Sequence, residues 1–466
     1  MNIFSILQFL SLVILAYFFI ISIFYFFTFL LSFKGLITHK IRSNFSTPRE
    51  ILNAKITPPI SVLAPAYNEE KSIVTSVNSL LNLEYGQYEV IVINDGSRDN
   101  TLEVLIKEFD LAKTSRNTNP QIPTKKISDI YKSRKYDNLV VVDKENGGKA
   151  DSLNAGINVS MYPLFCCIDA DSILEKTSLL KIVHPFMEAY TSVVATGGIV
   201  RVANGCIYQN RPYPLVRTSD KLLVNIQVVE YFRAFLSGRM ALTMMDCNMI
   251  ISGAFGLFKK QPVIDIGGYK EGVVGEDMEL VVRLHHEMRK KKQPCGIYFI
   301  PDTVCWTEVP ESLKILSRQR NRWHRGLAES LTMHIGILMN PKYGTVGLIG
   351  MPYFFFVEFM SPIVELAGYI IFVTSFYLKA IDILTFSAFF ILAVAFGLVH
   401  SLLALLMEEV TYHRYPKIKD LLKLMASAVV EHFGYRQYMA IVRAKGIFDW
   451  LIGNKSWGLM ERIGIK

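Results

Sequence analysis

Apolar and polar positions divide the chain into three kinds of stretch. From Phe4 to Phe33 no charged residue interrupts an apolar run, which at roughly thirty residues exceeds the ~20 that a helix needs to cross a bilayer. A cleaved signal is the competing reading. No Lys or Arg precedes the run, it is too long for a signal's apolar core, and no small-residue cleavage site closes it, so a membrane anchor is expected. A second apolar block, from about Val346 to Met407, is broken only near Lys379 and Asp382 and predicts two spans joined by a short loop. Between the blocks lies a mixed-charge region of roughly three hundred residues, enough to bury a core of its own.

Within that region the period alternates. "ISVLAPAYNEE" predicts a short strand closing on a polar loop, and "KSIVTSVNSLLNL" sets Ile73, Val77, Leu80 and Leu81 at helical spacing. "YEVIVINDGSRDNT" carries no charge between Glu89 and Asp95, as a parallel strand buried on both faces would. "TLEVLIKEF" is the next helix; "NLVVVDKENGGKADSLNAGI" repeats strand, loop and helix, and "YPLFCCIDADSIL" repeats strand and loop. The alternation predicts an α/β, doubly wound, mostly parallel sheet. Ligands of such sheets bind at the carboxyl ends of the strands. There the polar clusters fall: Tyr67-Asn68-Glu69, Asp95-Gly96-Ser97, Gly147-Gly148-Lys149, and Asp169 with Asp171. Residues Lys113 to Asn138 are polar and basic without a clear period and read as an irregular excursion between a helix and a strand.

The net charge of +9 has a membrane explanation. Lys34, Lys40, Arg42 and Arg49 follow the first span, and Arg318, Arg320, Arg322, Arg325 and Lys342 precede the second block. Positive flanks favour the cytoplasmic side, which makes the middle domain cytosolic. No aromatic-basic pattern argues for nucleic acid. The 6 cysteines form no CxxC pair; a zinc site is not expected, and a cytosolic domain would keep them reduced.

Four stretches carry candidate chemistry. Asp169 and Asp171 are two apart, so in extended structure both carboxylates face one way. A divalent cation, Mg2+ or Mn2+, would relieve that pairing and bridge to phosphates; the bland alternative is an Asx-type turn. In "GEDMELVVRL", Asp277 either complements a helix N-terminus or acts as a general base. In "RQRNRWHRG", arginines suited to phosphate oxygens surround Gln319 and Trp323, beside a positive-inside alternative. "ISGAFGLFKK" is a small-residue run where backbone could pass close to a ligand. In the second block Glu358 and Glu365 stand seven apart, on one face of a continuous helix; they line a polar path or reach interfacial water. The tail from Lys417 to Gly446 reads as a third span or an interfacial helix, and the basic residues after it favour a cytosolic C-terminus.

The aspartate of "NDGS", the DxD of "DAD", the acid pair of "GED" and the QxxRW of "QRNRW", in this order between apolar blocks, resemble the membrane-integrated family 2 glycosyltransferases: cellulose, chitin, hyaluronan and poly-N-acetylglucosamine synthases. The likeness covers about Ile60 to Gly326, and "NGGKADSLNAGI" and "CWTEVPE" look most like the poly-N-acetylglucosamine branch. It implies a GT-A type cytosolic domain with transmembrane helices at both ends. The implied division is residues 1–34 anchor, 35–58 juxtamembrane linker, 59–335 transferase domain, 336–446 interfacial and transmembrane helices, and 447–466 tail. It also implies roles. Tyr67, Glu69 and Asp95 would hold the uracil and ribose, Lys149 and Asp169 would lie beside the nucleotide-sugar, and Asp171 would bind the cation. Asp277 would be the base, next to Glu276 on the acceptor side, and Gln319, Arg322 and Trp323 would secure the diphosphate and the acceptor sugar. The implied activity is processive, inverting transfer of N-acetylglucosamine or glucose from a UDP-sugar to a growing β-linked polysaccharide, exported across the plasma membrane by a multi-pass protein. Accessory or export proteins are compatible partners. A nonprocessive transferase acting on a lipid carrier, or a non-catalytic nucleotide-sugar-binding transporter, are the alternatives. Two departures stand out: Gly275 replaces the Thr usual before the acid pair, and the F-x-V-T-x-K gating pattern of cellulose synthases is missing. Trp457-Gly458 faintly resembles the WG of the gating loop in hyaluronan and chitin synthases.

Overall fold

The computed structural model describes residues 3–43, 57–116, 118–170, 172–188, 192–207 and 214–454. Asp171 and Trp457 lie outside the described residues.

Ten strands form one mixed sheet. They are β1 (Ile60–Ala66), β2 (Tyr88–Asp95), β3 (Leu111–Lys113), β4 (Ile127–Ser133), β5 (Leu139–Lys144), β6 (Leu164–Ile168), β7 (Ile173–Leu174), β8 (Val193–Val202), β9 (Phe255–Lys259) and β10 (Gly296–Thr307). Their order is β3-β4-β5-β2-β1-β6-β9-β8-β10-β7. Only β4, β7 and β9 run against the rest, so the sheet is mostly parallel in direction.

Strand alternation sends Val62, Val90 and Val92 into the core on one face, and Leu63, Ile91 and Ile93 into the core on the other. The helix Lys149–Val159 covers the second face through Leu153 and Ile157. This double cover explains why β2 and β6 read as uncharged runs. The excursion at Lys113 to Asn138 contains a strand the sequence did not announce. β4 lies one strand from the sheet edge, half-buried, with Lys132 exposed beside buried Tyr131. Charged residues are common where a sheet nears its edge, and they erase the apolar signal.

Two helices are long and apolar enough to cross a membrane, Ile3–Ser43 and Ile383–Thr411. A third crossing exists if Val346–Phe359 and Ser361–Tyr377, bent by 44°, count as one span. The break expected near Asp382 is a helix cap: its carboxylate accepts from Thr385 N at 2.8 Å. Phe372 and Phe389 then stack at 3.8 Å across the two pieces, with Ile14 of the first helix in the same cluster. The first helix continues to Ser43, into the stretch expected as a linker. The 44° bend falls between Glu358 and Glu365, so no single straight helix carries both acids. The tail forms helices Ile418–Val430 and Arg436–Leu451, separated by non-helical Phe433 and Gly434.

Candidate functional site

The loops after β1 and β2 are stitched together. Asn68 takes a left-handed conformation (φ 57°), which Asn tolerates better than most residues. Its side-chain carbonyl accepts from Arg98 N at 2.8 Å, its own N–H donates to Ser97 Oγ at 3.0 Å, and Glu69 N donates to Thr101 Oγ1 at 2.9 Å. Tyr67 stands exposed at this junction, and Glu69 is half-buried with Ser72 Oγ donating to its carboxylate at 2.5 Å.

Asp95, at the end of β2, is buried and engaged within the chain. Its Oδ1 accepts from Lys144 Nζ at 2.7 Å and Gly147 N at 3.0 Å; its Oδ2 accepts from Asn146 Nδ2 at 3.1 Å and Gly148 N at 2.8 Å. Lys144 also lies 2.5 Å from Asp151, and neither of those two side chains is exposed. A buried ammonium shared by two carboxylates, with backbone N–H groups filling the remaining positions, is the satisfied form of a buried ion pair. Here Asp95 shapes the turn that starts the helix carrying Lys149.

Lys149 leads into the centre. Its Nζ lies 2.5 Å from Asp169 Oδ1, 3.8 Å from Glu276 Oε1 and 3.4 Å from Gly253 O. Burial alone would pull the ammonium down; Asp169 and Glu276 outweigh it and hold Lys149 above its ordinary range. Burial pushes Glu276 up to about 7, against the opposing pull of Lys149. Asp277 is fixed from two sides: Oδ2 accepts from Gly253 N at 2.9 Å, and Oδ1 accepts from Met278 N at 2.8 Å in the first turn of the helix Glu276–Lys290. Gly253 belongs to the small-residue run read from the sequence, so its backbone does come close to the acids.

The helix Leu313–Met333, capped by Ser312, supplies the opposite wall. Arg320 pairs with Glu230 at 2.6 Å and lies 4.4 Å over the ring of half-exposed Trp323. Gln319 Oε1 is buried with no hydrogen-bond partner among the described residues.

Lys149, Asp169, Glu276, Asp277, Gln319, Arg322 and Trp323 all line one cavity of about 1010 Å3. Tyr67, Glu69 and Asp95 do not line it; they sit at the ends of β1 and β2, beside the β6 end that carries Asp169. The cavity continues between the apolar helices, past Tyr25, Glu358, Glu365, His400 and Arg436. Sequence reasoning missed Arg239, another lining residue. It lies 4.0 Å over the Phe235 ring, has no ion-pair partner among the described residues, and burial lowers it to about 10 although Asp277 opposes the shift. An isolated arginine in the apolar "FLSGRMAL" was the available signal.

A carboxylate of the kind a divalent cation prefers faces the cavity. Asp169 faces the cavity, is partly exposed, and offers carboxylate oxygens, the donor type that Mg2+ and Mn2+ prefer. No group of three or more His, Cys, Asp or Glu among the described residues could hold an ion, and the second expected acid, Asp171, lies outside them.

Residues 61–246 match the sequence profile of glycosyl transferase family 2, and residues 164–407, more than half of the chain, match that of glycosyl transferase family group 2. The chain belongs to glycosyl transferase family group 2. This glycosyl transferase is 29% identical over 306 residues to a poly-beta-1,6-N-acetyl-D-glucosamine synthase of Staphylococcus aureus, across 66% of its own length and 63% of that protein's. It is also 29% identical over 276 residues to the synthase of that name in Staphylococcus epidermidis. The match thus spans 63% and 55% of these two relatives' lengths, less than two thirds of either. A mannosyltransferase from Pyrobaculum calidifontis, solved with GDP-mannose and Mn2+, superposes with a TM-score of 0.53 at 16% identity, over 91% of this chain and 99% of that one. The shared fold is GT-A-like: a mixed, mostly parallel sheet, here with apolar helices at the N-terminus and toward the C-terminus.

Proposed function

We propose that this glycosyl transferase is a processive, inverting enzyme. It moves a sugar from a UDP-sugar onto a growing β-linked polysaccharide and passes the chain through the membrane. UDP-N-acetylglucosamine is the first candidate donor, by likeness to the staphylococcal synthases, and UDP-glucose the second. The observation that carries the reading is the continuous cavity joining Asp277 and Trp323 to the apolar helices. A nonprocessive transferase needs a place for one acceptor; a lined passage reaching Glu358, Glu365 and His400 suits a polymer.

In this reading the loops at Tyr67, Glu69 and Asp95 form the nucleotide end of the site. Asp95 acts there through the turn it fastens and Tyr67 by direct contact. Lys149 neutralises the diphosphate beside Asp169, and Arg322 reaches it from the far wall. Asp171 with Asp169 would hold a divalent cation, which when bound supplies charge stabilisation to the leaving diphosphate. Trp323, its outer face left open by Arg320, stacks on the acceptor sugar, and Gln319 Oε1 accepts from a sugar hydroxyl. Asp277 takes the proton from the attacking hydroxyl, which approaches the anomeric carbon opposite the nucleotide and inverts it. The Gly253 N–H holds the carboxylate in place for that transfer. The membrane is the plasma membrane, crossed more than once, with the sheet on the cytosolic side.

The deciding experiment supplies radiolabelled UDP-N-acetylglucosamine or UDP-glucose to membranes containing the full chain and sizes the product. A polymer is expected. Products confined to one sugar on a lipid would overturn processivity, and absence of UDP release with every nucleotide sugar would overturn the enzyme reading.

A further inference from the structure

Gly275, which stands where a Thr was expected from resemblance, has a steric cause that involves the second half of the site. Its φ of −116° is open to any residue, so backbone freedom does not require glycine there. Space does. A Cβ on Gly275 would lie 2.9 Å from Gly326 Cα and 3.1 Å from Gly326 C and O. The relation is reciprocal: a Cβ on Gly326 would lie 2.8 Å from both Cα and N of Gly275. All of these partners are backbone atoms, which cannot swing aside as a side-chain tip would.

Polar contacts clamp the same spot. Glu329 accepts from Val274 N at 2.8 Å. Ser330 Oγ donates to Gly326 O at 2.8 Å and reaches Gly275 O at 3.4 Å. Gly326, Glu329 and Ser330 lie three and four residues apart and therefore share one helix face. That face grips the peptide immediately before Glu276 and Asp277. Trp323 and Arg322 precede Gly326 by three and four residues, so they sit one turn from the contact.

We propose that the Gly275–Gly326 contact is a positioning device. It sets the distance between Asp277 and the Gln319–Arg322–Trp323 wall, and with it the rate at which an acceptor is brought to attack. Resting on the proposed transferase function, the inference assigns these glycines to the acceptor step rather than to stability alone. A methyl group at either position pushes the helix Leu313–Met333 away from the acids. Misplacement of about 1 Å in a reacting pair can cost ~100-fold in rate.

The test uses the full chain in membranes or detergent, as Gly275→Thr and Gly326→Ala. Glu329→Ala loosens the same contact without added bulk, should the bulkier variants fail to fold. Gly336→Ala is the control, since a Cβ there meets nothing within 4 Å. With UDP-N-acetylglucosamine as probe, kcat for sugar transfer should fall at least ~10-fold, KM for the donor should move less than ~3-fold, and the ratio of donor hydrolysis to transfer should rise. Amide exchange at Val274, read by mass spectrometry, should quicken in the same variants and not in the control. Wild-type transfer and an unchanged hydrolysis ratio in folded variants would overturn the inference while leaving the functional reading intact. If the unaltered chain turned over no nucleotide sugar, the functional reading would fall; unchanged Val274 exchange in the variants would still independently refute the contact's role.

Discussion

Arg201 of β8 and Glu408 of the helix Ile383–Thr411 join the sheet to an apolar helix through two hydrogen bonds, of 2.9 and 2.7 Å. Their side chains are 3% and 1% exposed, so neither charge has water to fall back on. Arg201→Met would leave the Glu408 carboxylate buried without its partner, and breaking such a pair costs about 3–5 kcal/mol. Replacing both, as Arg201→Met with Glu408→Leu, removes two desolvated charges together and should cost little or nothing. The predicted coupling is therefore about 3 kcal/mol or more, roughly a hundred-fold or more in the equilibrium that holds the two parts together. Thermal unfolding and limited proteolysis of the full chain in detergent, for both single variants and the double variant, measure it. Proteolysis should appear first near the Leu405–Tyr415 segment. If the double variant is as unstable as Arg201→Met, an unpaired buried charge is not the cause of the loss, and the reasoning fails.

Other consequences are equally direct. Asp277→Asn should lower transfer by about 100- to 10,000-fold with UDP affinity nearly unchanged, since a general base contributes about that much; near-normal kcat would return Asp277 to a helix-cap role. Chelation should abolish turnover, with Mg2+ or Mn2+ restoring it; activity that survives chelation would favour the turn reading of Asp169 and Asp171. Glu276, held at about 7 against an ordinary 4.5, binds its proton more tightly in the folded chain. Its contribution is fully present below about 4.5 and is lost as pH rises through about 7. The wild-type melting temperature should therefore fall more steeply than that of Glu276→Gln between those values, and parallel curves would refute the assignment. Arg239→Met should shorten the polymer at least ~2-fold if the arginine holds sugar oxygens in the passage, where a buried cation with no ion-pair partner among the described residues gains most from a ligand; equal product lengths would exclude that contact.

What the sequence disclosed followed from how each signal is encoded. β2 and β6 were legible because burial on both faces forbids charge along the whole strand. β4 was not, because half of its surface meets solvent and Lys132 is tolerated there. The acids Asp169 and Asp277 were legible as candidates, yet nothing in a linear pattern shows that Gly253 N–H holds one of them while Lys149 meets the other. Asp95 illustrates the reverse case. Its residue type and position suggested a ligand contact, and only the folded arrangement reveals Lys144 and three N–H donors of the 146–148 turn already on its oxygens. A polar path at Glu358 and Glu365 was one of two readings of the sequence; that His400 and Arg436 join them was hidden, since the passage is built by helices far apart in the chain. Gly275 stands in the sequence only as a departure from Thr; the backbone of Gly326 against it is visible only in the fold.

The first helix has 41 residues, about 60 Å at ~1.5 Å per residue, or twice the ~30 Å of hydrocarbon in a bilayer. Its C-terminal part is no free stalk: Leu36 is fully buried in the main core cluster, and Gly35 leaves no room for a Cβ beside Met240. His39 is tied to Asp302 of β10 at 2.9 Å, and Lys40 to the Val410 carbonyl at 3.1 Å. Sheet, first helix and the helix ending at Thr411 are thus fastened together at one level, as a deck is bolted to a mast.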